Sequence, residues 1–550
     1  MKLLLLFLLA APLSAADFEP DVFGPMKIEM DRSLSRLKLD DFGPPYFLAY
    51  RLVDEKSYEA AAAFGGTISE GDDDYRTLFV EARYGDRTLD NTDLNYQGWH
   101  GNAARSPEVL RQNLWSLTDG AYKGALSGYL EKKAKRATEF IPDVLDDFTV
   151  ESATSYFEPQ PDSAFDRDRA KDIVEKLSAV FKKHSLIFDS RAVMRLEWSR
   201  RYLLTSEGAR IATPAESVPS SLYAFAMTRA DDGMRLDDMA SWAIRGLDDL
   251  PKTATLEAAA EKVAAELEQM RGAPVQAPLS APAILDGELT GVLFHEALGH
   301  KLEGQRQRDP QQSQLFKDMV GKRIIPEFLS VIDDPTLKEW RGEPLHGSYR
   351  FDSEGVAAQS VALVERGVLR NFLMSRWPIK GFSRSNGHGR AESSMRPTGR
   401  MANLTVKAES PVPRAELTKR LMELARKAGK PYGFLLVGAF GGDNPVGRGQ
   451  AQTLEVRPRL VYRIDAKTGE QTMVRGVSMV GTPLVVLNRI AAVGDDPYLG
   501  NNYTCGAESG RVPVAQIAPS VLVSEIELQR LPEDRARPPL LPSPLHDRDR

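Results

Sequence analysis

Apolar residues at Leu256, Ala260, Val263, Leu267 and Met270 recur at helical spacing and predict a helix over 253–271. Residues 26–40, with Leu34, Leu37 and Leu39 among charged neighbours, read the same way, as do 119–138 and 166–183. Elsewhere the period shortens to two. Within 45–85, "PYFLAYRLVD", "YEAAAAFGGTIS" and "YRTLFVEARYG" predict three antiparallel strands separated by charged or Gly-rich turns. After 191, "AVMRLEWSRRYLLTSEGARIATPAES" alternates apolar and polar around a turn at Ser206, Glu207 and Gly208. Residues 17–271 therefore predict an N-terminal α+β domain, an antiparallel sheet with covering helices. The stretch "GAPVQAPLSAPA" predicts a linker over 272–286, or an extended segment laid across a surface. Residues 287–530 read as a β-rich C-terminal domain, with strands in "AAQSVALVERGVLRNFLMS", "ANLTVKAE", "GFLLVGAFGG", "TLEVRPRLVYRID", "TPLVVLNRIAAVG" and "VPVAQIAPSVLVSEIELQRL". The overall class is α+β, and no repeat at a solenoid period is present. The Pro- and charge-rich stretch 531–550 predicts a disordered tail.

Composition narrows the function. A chain of 550 residues with net charge −6 has room for two or three cores and no basic excess pointing to nucleic acid as a partner. The basic run 132–136 reads as a solvated helix face. Met1-Lys2, an apolar run over 3–11 and the small residues Ser14, Ala15 and Ala16 form a secretory signal pattern, predicting cleavage after Ala15 or Ala16. The expectation is export, periplasmic or secreted, with no stable membrane span. Cys505 is the single cysteine, so it forms no intrachain disulfide and is expected either to be buried or to be held by a ligand.

"GVLFHEALGHKLEG", residues 291–304, carries the candidate chemistry. It contains two of the seven histidines, spaced H-E-x-x-x-H, one residue longer than the zinc-peptidase H-E-x-x-H. On a regular α-helix, positions i and i+5 lie about 140° apart and cannot share a metal. A π-bulge or helix break between Leu298 and Lys301, at or near Gly299, would bring His300 beside His295. Glu296 is then the candidate general base for a zinc-activated water. A third ligand must come from elsewhere. Cys505, in the polar, Gly-containing "NNYTCGAESG" read as a loop, is the first candidate, with His346 and His388 as rivals.

These residues, together with "GSYRFDSEGVAAQSVALVERGVLRNFL", "NGHGRAESSMRPTGRMANL", "GAFGGDNPVG" and "TCGAESGRVPVAQIAPSVLVSEIEL" in that order, resemble the TldD/PmbA family of metallopeptidases, TldD-type. The resemblance covers about 287–528 firmly and 165–271 loosely. It implies zinc held by His295, His300 and Cys505, with Glu296 as base. It also implies a homodimer or a heterodimer with a PmbA/TldE-type partner, and short or unfolded peptides as substrates. His388, Arg390 and His346 are candidate substrate-binding residues. Asp352 and Glu354 could be read as an acidic pair but fit a turn better. "FGGDNPVGRG" lacks the ending of a phosphate loop. Two other functions remain open: a non-catalytic peptide-binding or assembly subunit, and a cysteine hydrolase using Cys505.

Overall fold

The computed structural model describes residues 22–93, 98–138, 145–159, 163–215, 219–309, 312, 314–443, 453–531, 535–537, 539, 541 and 543–546. The signal pattern at 1–16 and residues 444–452 lie outside them.

An eight-stranded sheet forms the N-terminal half. Its centre is a pair of long strands, Phe47–Ala63 and Asp189–Thr205, running antiparallel. Residues 45–85 form two strands rather than three. Phe47–Ala63 pairs along its whole length with Gly66–Arg83, and the only turn is at Phe64 and Gly65, both with positive φ. The charged segments expected to break the strands are absorbed instead. Asp54 is buried against Arg76 at 2.6 Å, and the acidic run at 72–74 lies on the exposed part of its strand. Helices Arg167–Ala179 and Thr253–Gly272 cover one part of the sheet, packing Val174, Leu177, Val263 and Leu267 into one core. Helices Phe23–Arg36 and Pro107–Thr138 cover another. The second of these begins twelve residues earlier than its apolar pattern suggested. In the basic run near its end Lys133 and Lys135 are exposed, as expected of a solvated face, whereas Lys132 meets buried Asp147 at 2.6 Å, and Arg308 from the other half meets the same carboxylate at 2.5 Å.

Among the described residues, the C-terminal half holds two large sheets and two short two-stranded ribbons. In one, strands Tyr432–Asp443, Leu279–Leu285, Val521–Arg530, Val477–Gly481 and Leu454–Asp465 pair in that order, and the last pairs back to the first, so the sheet closes on itself. Residues 279–285, expected in a linker, are a strand of this sheet with five buried residues, Ala281 to Leu285. The Pro and Ala content that suggested a linker reflects close packing between two neighbours. The other sheet has six strands. Gly510–Ala518 lies next to its edge and Tyr498–Ala507 at the edge. Helix Arg414–Lys427, with Leu417, Leu421 and Ala425 buried at helical spacing, went unread in the sequence although its pattern is plain. Of the predicted tail, Arg535 and Ala536 are tied to the turn at Gly233 and Met234.

Candidate metal centre

The strand Leu279–Leu285 ends at Asp286, whose carboxylate caps the next helix by accepting from the Leu289 amide at 2.9 Å. The helix Gly287–Phe294 is regular and almost wholly buried. It then widens into a π-turn over His295–Gly299, where the His300 N–H donates to the His295 carbonyl, and tightens into a 3₁₀ turn over His300–Leu302. The extra residue of the motif is taken up by this change of pitch. Gly299 permits it for a second reason: a Cβ there would lie 1.9 Å from Met401 Sδ.

The π-turn sets the two imidazoles edge to face, 4.9 Å between centroids. Cys505 reaches them from the edge strand Tyr498–Ala507, not from a loop, opposite Val512. Its Sγ lies 3.1 Å from His295 Nε2 and 3.4 Å from His300 Nε2, and the three donor atoms fall within 4.8 Å of one another. Tetrahedral bonds of about 2.0–2.3 Å place nitrogen and sulfur donors about 3.5 Å apart, so the set fits a zinc ion. Two further observations support the fit. His295 Nε2 meets Cys505 while its Nδ1 is buried with no hydrogen-bond partner among the described residues, so no wider hydrogen-bond network holds this imidazole beside the thiol. Burial pushes the Cys505 thiol up, but His300, Arg400 and His295 outweigh it and hold it well below its usual range, the form a metal requires. Burial pushes His300 down, while Cys505 and Glu303 hold it well above its usual value.

Glu296, next in sequence to His295, lies over Gly442 of the strand Tyr432–Asp443, where a Cβ would meet its Cγ at 2.7 Å. It is partly exposed, unlike the ligands beside it. Lys301 is buried close by; burial and Arg306 bring it down to about 8, with Glu296 and Glu303 opposing. A carboxylate at the rim of a buried N₂S donor set is suited to moving protons for a hydrolytic centre.

Residues 278–530 match the PmbA/TldA metallopeptidase C-terminal domain. These residues carry a PmbA/TldD-family domain. A metalloprotease of Methanocaldococcus jannaschii is 34% identical over 233 residues, 42% of this chain and 47% of that protein. A metalloprotease TldD homolog of Buchnera aphidicola is 28% identical over 251 residues, 45% of this chain and 47% of that protein. A zinc metalloprotease TldD homolog of Saccharolobus solfataricus is 25% identical over 264 residues, 48% of this chain and 54% of that protein. The chain thus spans about half the length of the curated relatives it matches. Fold similarity extends further. A protein from Thermotoga maritima described as a modulator of a DNA gyrase aligns over 92% of this chain and 100% of its own, with TM-score 0.62 and 16% identity. TldE from Thermococcus kodakarensis aligns over 88% of this chain and 96% of its own, with TM-score 0.58 and 14% identity. The PmbA/TldD fold is shared by both halves, while the sequence match lies in the half that carries the metal centre.

Within this PmbA/TldD fold the expected substrate-binding residues lie elsewhere. His388 is fully buried, with Nε2 3.1 Å from Asp333 Oδ1 and Nδ1 3.0 Å from Asn386 Oδ1. Both nitrogens are engaged, so it offers nothing to substrate or metal. Arg390 is equally buried and donates to the Met401 carbonyl and, at 2.8 Å, to the Pro513 carbonyl. Met401 packs on Gly299 and Pro513 adjoins Val512, so Arg390 braces two walls of the metal centre instead of reaching into it. His346 lines a separate cleft of about 700 Å³ with Trp198 and Pro513. Side chains alternate along a strand. Val512 faces the core with Cys505, and its neighbour Pro513 faces the His346 cleft, so one strand separates that histidine from the metal centre. Asp352 forms the expected turn, accepting from the amides of Glu354 and Val356, both at 2.9 Å, before Gly355 at φ +84°.

The residues missed by sequence reasoning surround the ligands. Glu303 Oε1 lies 3.0 Å from His300 Nδ1, and Arg306 Nε donates to Glu303 Oε2 at 2.8 Å. Arg400 donates to the Cys505 carbonyl at 2.6 Å and to Ser509 Oγ at 2.7 Å. Burial would push Glu303 up, but Arg306, His300 and Arg400 bring it to about 2. The spacing His300-x-x-Glu303 was the available signal, since residues three apart meet on a helical turn.

Proposed function

We propose that this chain is an exported zinc metallopeptidase that hydrolyses peptide bonds in short or unfolded peptides, acting as a homodimer or with a PmbA/TldE-type partner. The observation that carries the reading is the convergence of His295 Nε2, His300 Nε2 and Cys505 Sγ from a π-turn and an edge strand, with Glu296 beside them. His295, His300 and Cys505 would hold a zinc ion, which would supply Lewis-acid charge there. Glu296 takes the proton of the attacking water and passes it to the departing amine. The outer edge of Tyr498–Ala507, which among the described residues pairs with Gly510–Ala518 alone, offers backbone groups to an extended peptide beside the ligands. The names of the relatives support a peptidase, and that of the Saccharolobus protein supports zinc. Export rests on the pattern of residues 1–16, and N-terminal sequencing of the protein recovered from cell fractions tests it.

The decisive experiment is elemental analysis of wild type, Cys505→Ala and Glu296→Gln beside peptide-library turnover. About one zinc per chain in wild type and in Glu296→Gln, with turnover lost in the latter, supports the reading. A second reading has one specific observation in its favour: Sγ 3.1 Å from an imidazole nitrogen is also the geometry of a Cys–His dyad. A cysteine hydrolase predicts turnover that survives chelators and stops on thiol alkylation.

A further inference from the structure

Glu303 touches no substrate position and is not one of the three donors, yet it is the most constrained carboxylate around them. Resting on the metallopeptidase reading above, we infer that Glu303 is a positioning residue for the metal centre. It fixes which nitrogen of His300 faces the ion and, through Arg400, joins that ligand to the distant Cys505.

Glu303 Oε1 accepts from His300 Nδ1 at 3.0 Å. With Nδ1 committed, Nε2 is the nitrogen left to bind, and it is the one 3.4 Å from Cys505 Sγ. A carboxylate in this place fixes the tautomer and the ring plane and makes the free nitrogen a better donor. The carboxylate itself cannot swing away. Glu303 Oε2 takes both Nε and Nη2 of Arg306, and Arg306 is held in turn by Glu508 at 2.9 Å. The backbone at this point is tied as well, since the Gly304 amide donates to Leu373 at 2.9 Å. Glu303 is fully buried, so no water can replace these partners. Arg400 Nε stands 3.4 Å from Glu303 Oε1 while its Nη2 donates to the Cys505 carbonyl. One guanidinium therefore spans the turn that carries His300 and the strand that carries Cys505. A glutamine in place of Glu303 could accept from His300 with its oxygen, but its NH₂ would then face the Arg306 donors.

The test uses the full chain as wild type, Glu303→Gln and Glu303→Asp. Zinc affinity is measured by competition with a chromogenic chelator, the visible spectrum is recorded after loading with cobalt(II), and melting is followed in the metal-free state. Glu303→Gln is expected to bind zinc about 10–100-fold more weakly and to shift the cobalt bands. A folded Glu303→Gln with zinc affinity within about twofold of wild type and an unchanged cobalt spectrum overturns the inference. If Glu303→Gln does not fold, Glu303→Asp decides, because it keeps the charge between the arginines but withdraws it by one methylene. Weakened affinity at an unchanged metal-free melting temperature supports the positioning role, and unchanged affinity overturns it. Wild type that binds neither metal overturns the metallopeptidase reading itself, and this arm is read separately from the variants.

Discussion

His300 and His388 are both buried in the C-terminal half, and each has a buried carboxylate against its ring: Glu303 in one case, Asp333 in the other. They differ at the second nitrogen. His300 turns Nε2 toward a thiol and another imidazole, whereas His388 Nδ1 is taken by Asn386. Burial next to an acid does not make a histidine a ligand. What decides is whether the remaining nitrogen faces further metal-donor atoms, as His300 Nε2 faces the Cys505 thiol beside the His295 ring, or is already taken by a hydrogen-bond partner, as in His388. The same contrast separates two buried glutamates. Glu303, between Arg306 and Arg400, is held at about 2, while Glu354 is pushed by burial and by Asp352 to about 8, with Arg376 opposing.

The strongest way to break the comparison is Cys505→Ala. Zinc content should fall from about one per chain to near zero, and turnover with it, because two histidines alone leave the ion under-coordinated. Retained stoichiometric zinc in that variant would remove the thiol from the ligand set. Glu296→Gln comes next, with kcat lower by about 10²–10⁴-fold and zinc retained; single-turnover kinetics on a cleaved library peptide measures it.

The glutamate pair predicts opposite pH responses. Glu354 has a folded value above its ordinary 4.5, so the stability it contributes is present below about 4.5 and lost as pH rises through about 8. Glu303 has a lowered value, so its contribution is present above about 4.5 and lost as pH falls through about 2. Melting curves of Glu354→Gln against wild type should therefore diverge in favour of the variant between pH 4.5 and 8. Parallel curves across that window would show that Glu354 does not carry the slope.

His388→Asn should leave zinc content untouched and lower stability by about 1–3 kcal/mol, since it leaves the buried Asp333 carboxylate with the Ala402 amide but without its imidazole partner. Urea titration and metal analysis on one preparation check both halves of the statement. His346→Ala is expected to be the mildest, with zinc unchanged and a stability loss below about 1 kcal/mol, because its ring lies across a strand from the ligands.

Much of the centre could be read from one short stretch. The i, i+5 spacing demanded a change of helical pitch, and Gly299 marked where it could occur; the π-turn spans His295–Gly299. Sequence periodicity was less informative in 45–85, because burial of Asp54 against Arg76 let charged residues sit mid-strand where they resemble a turn. It failed in 279–285, where Pro and Ala serve tight packing between neighbouring strands. "NGHGRAESS" looked like a binding loop because Gly, His and Arg are typical of one, but the same residues also suit a buried brace.

The amino-acid order by itself determined the ligand types, the abnormal spacing and the need for a bulge, since these follow from local geometry within six residues. It also placed an acid three positions after His300. Only the tertiary structure decided that Cys505, 205 positions away, closes the set, that Arg400 ties it to Glu303, and that His346 and His388 do not take part. Those outcomes depend on which strand lies at a sheet edge and which side each residue faces, and strand pairing over such distances leaves no periodic trace in the chain.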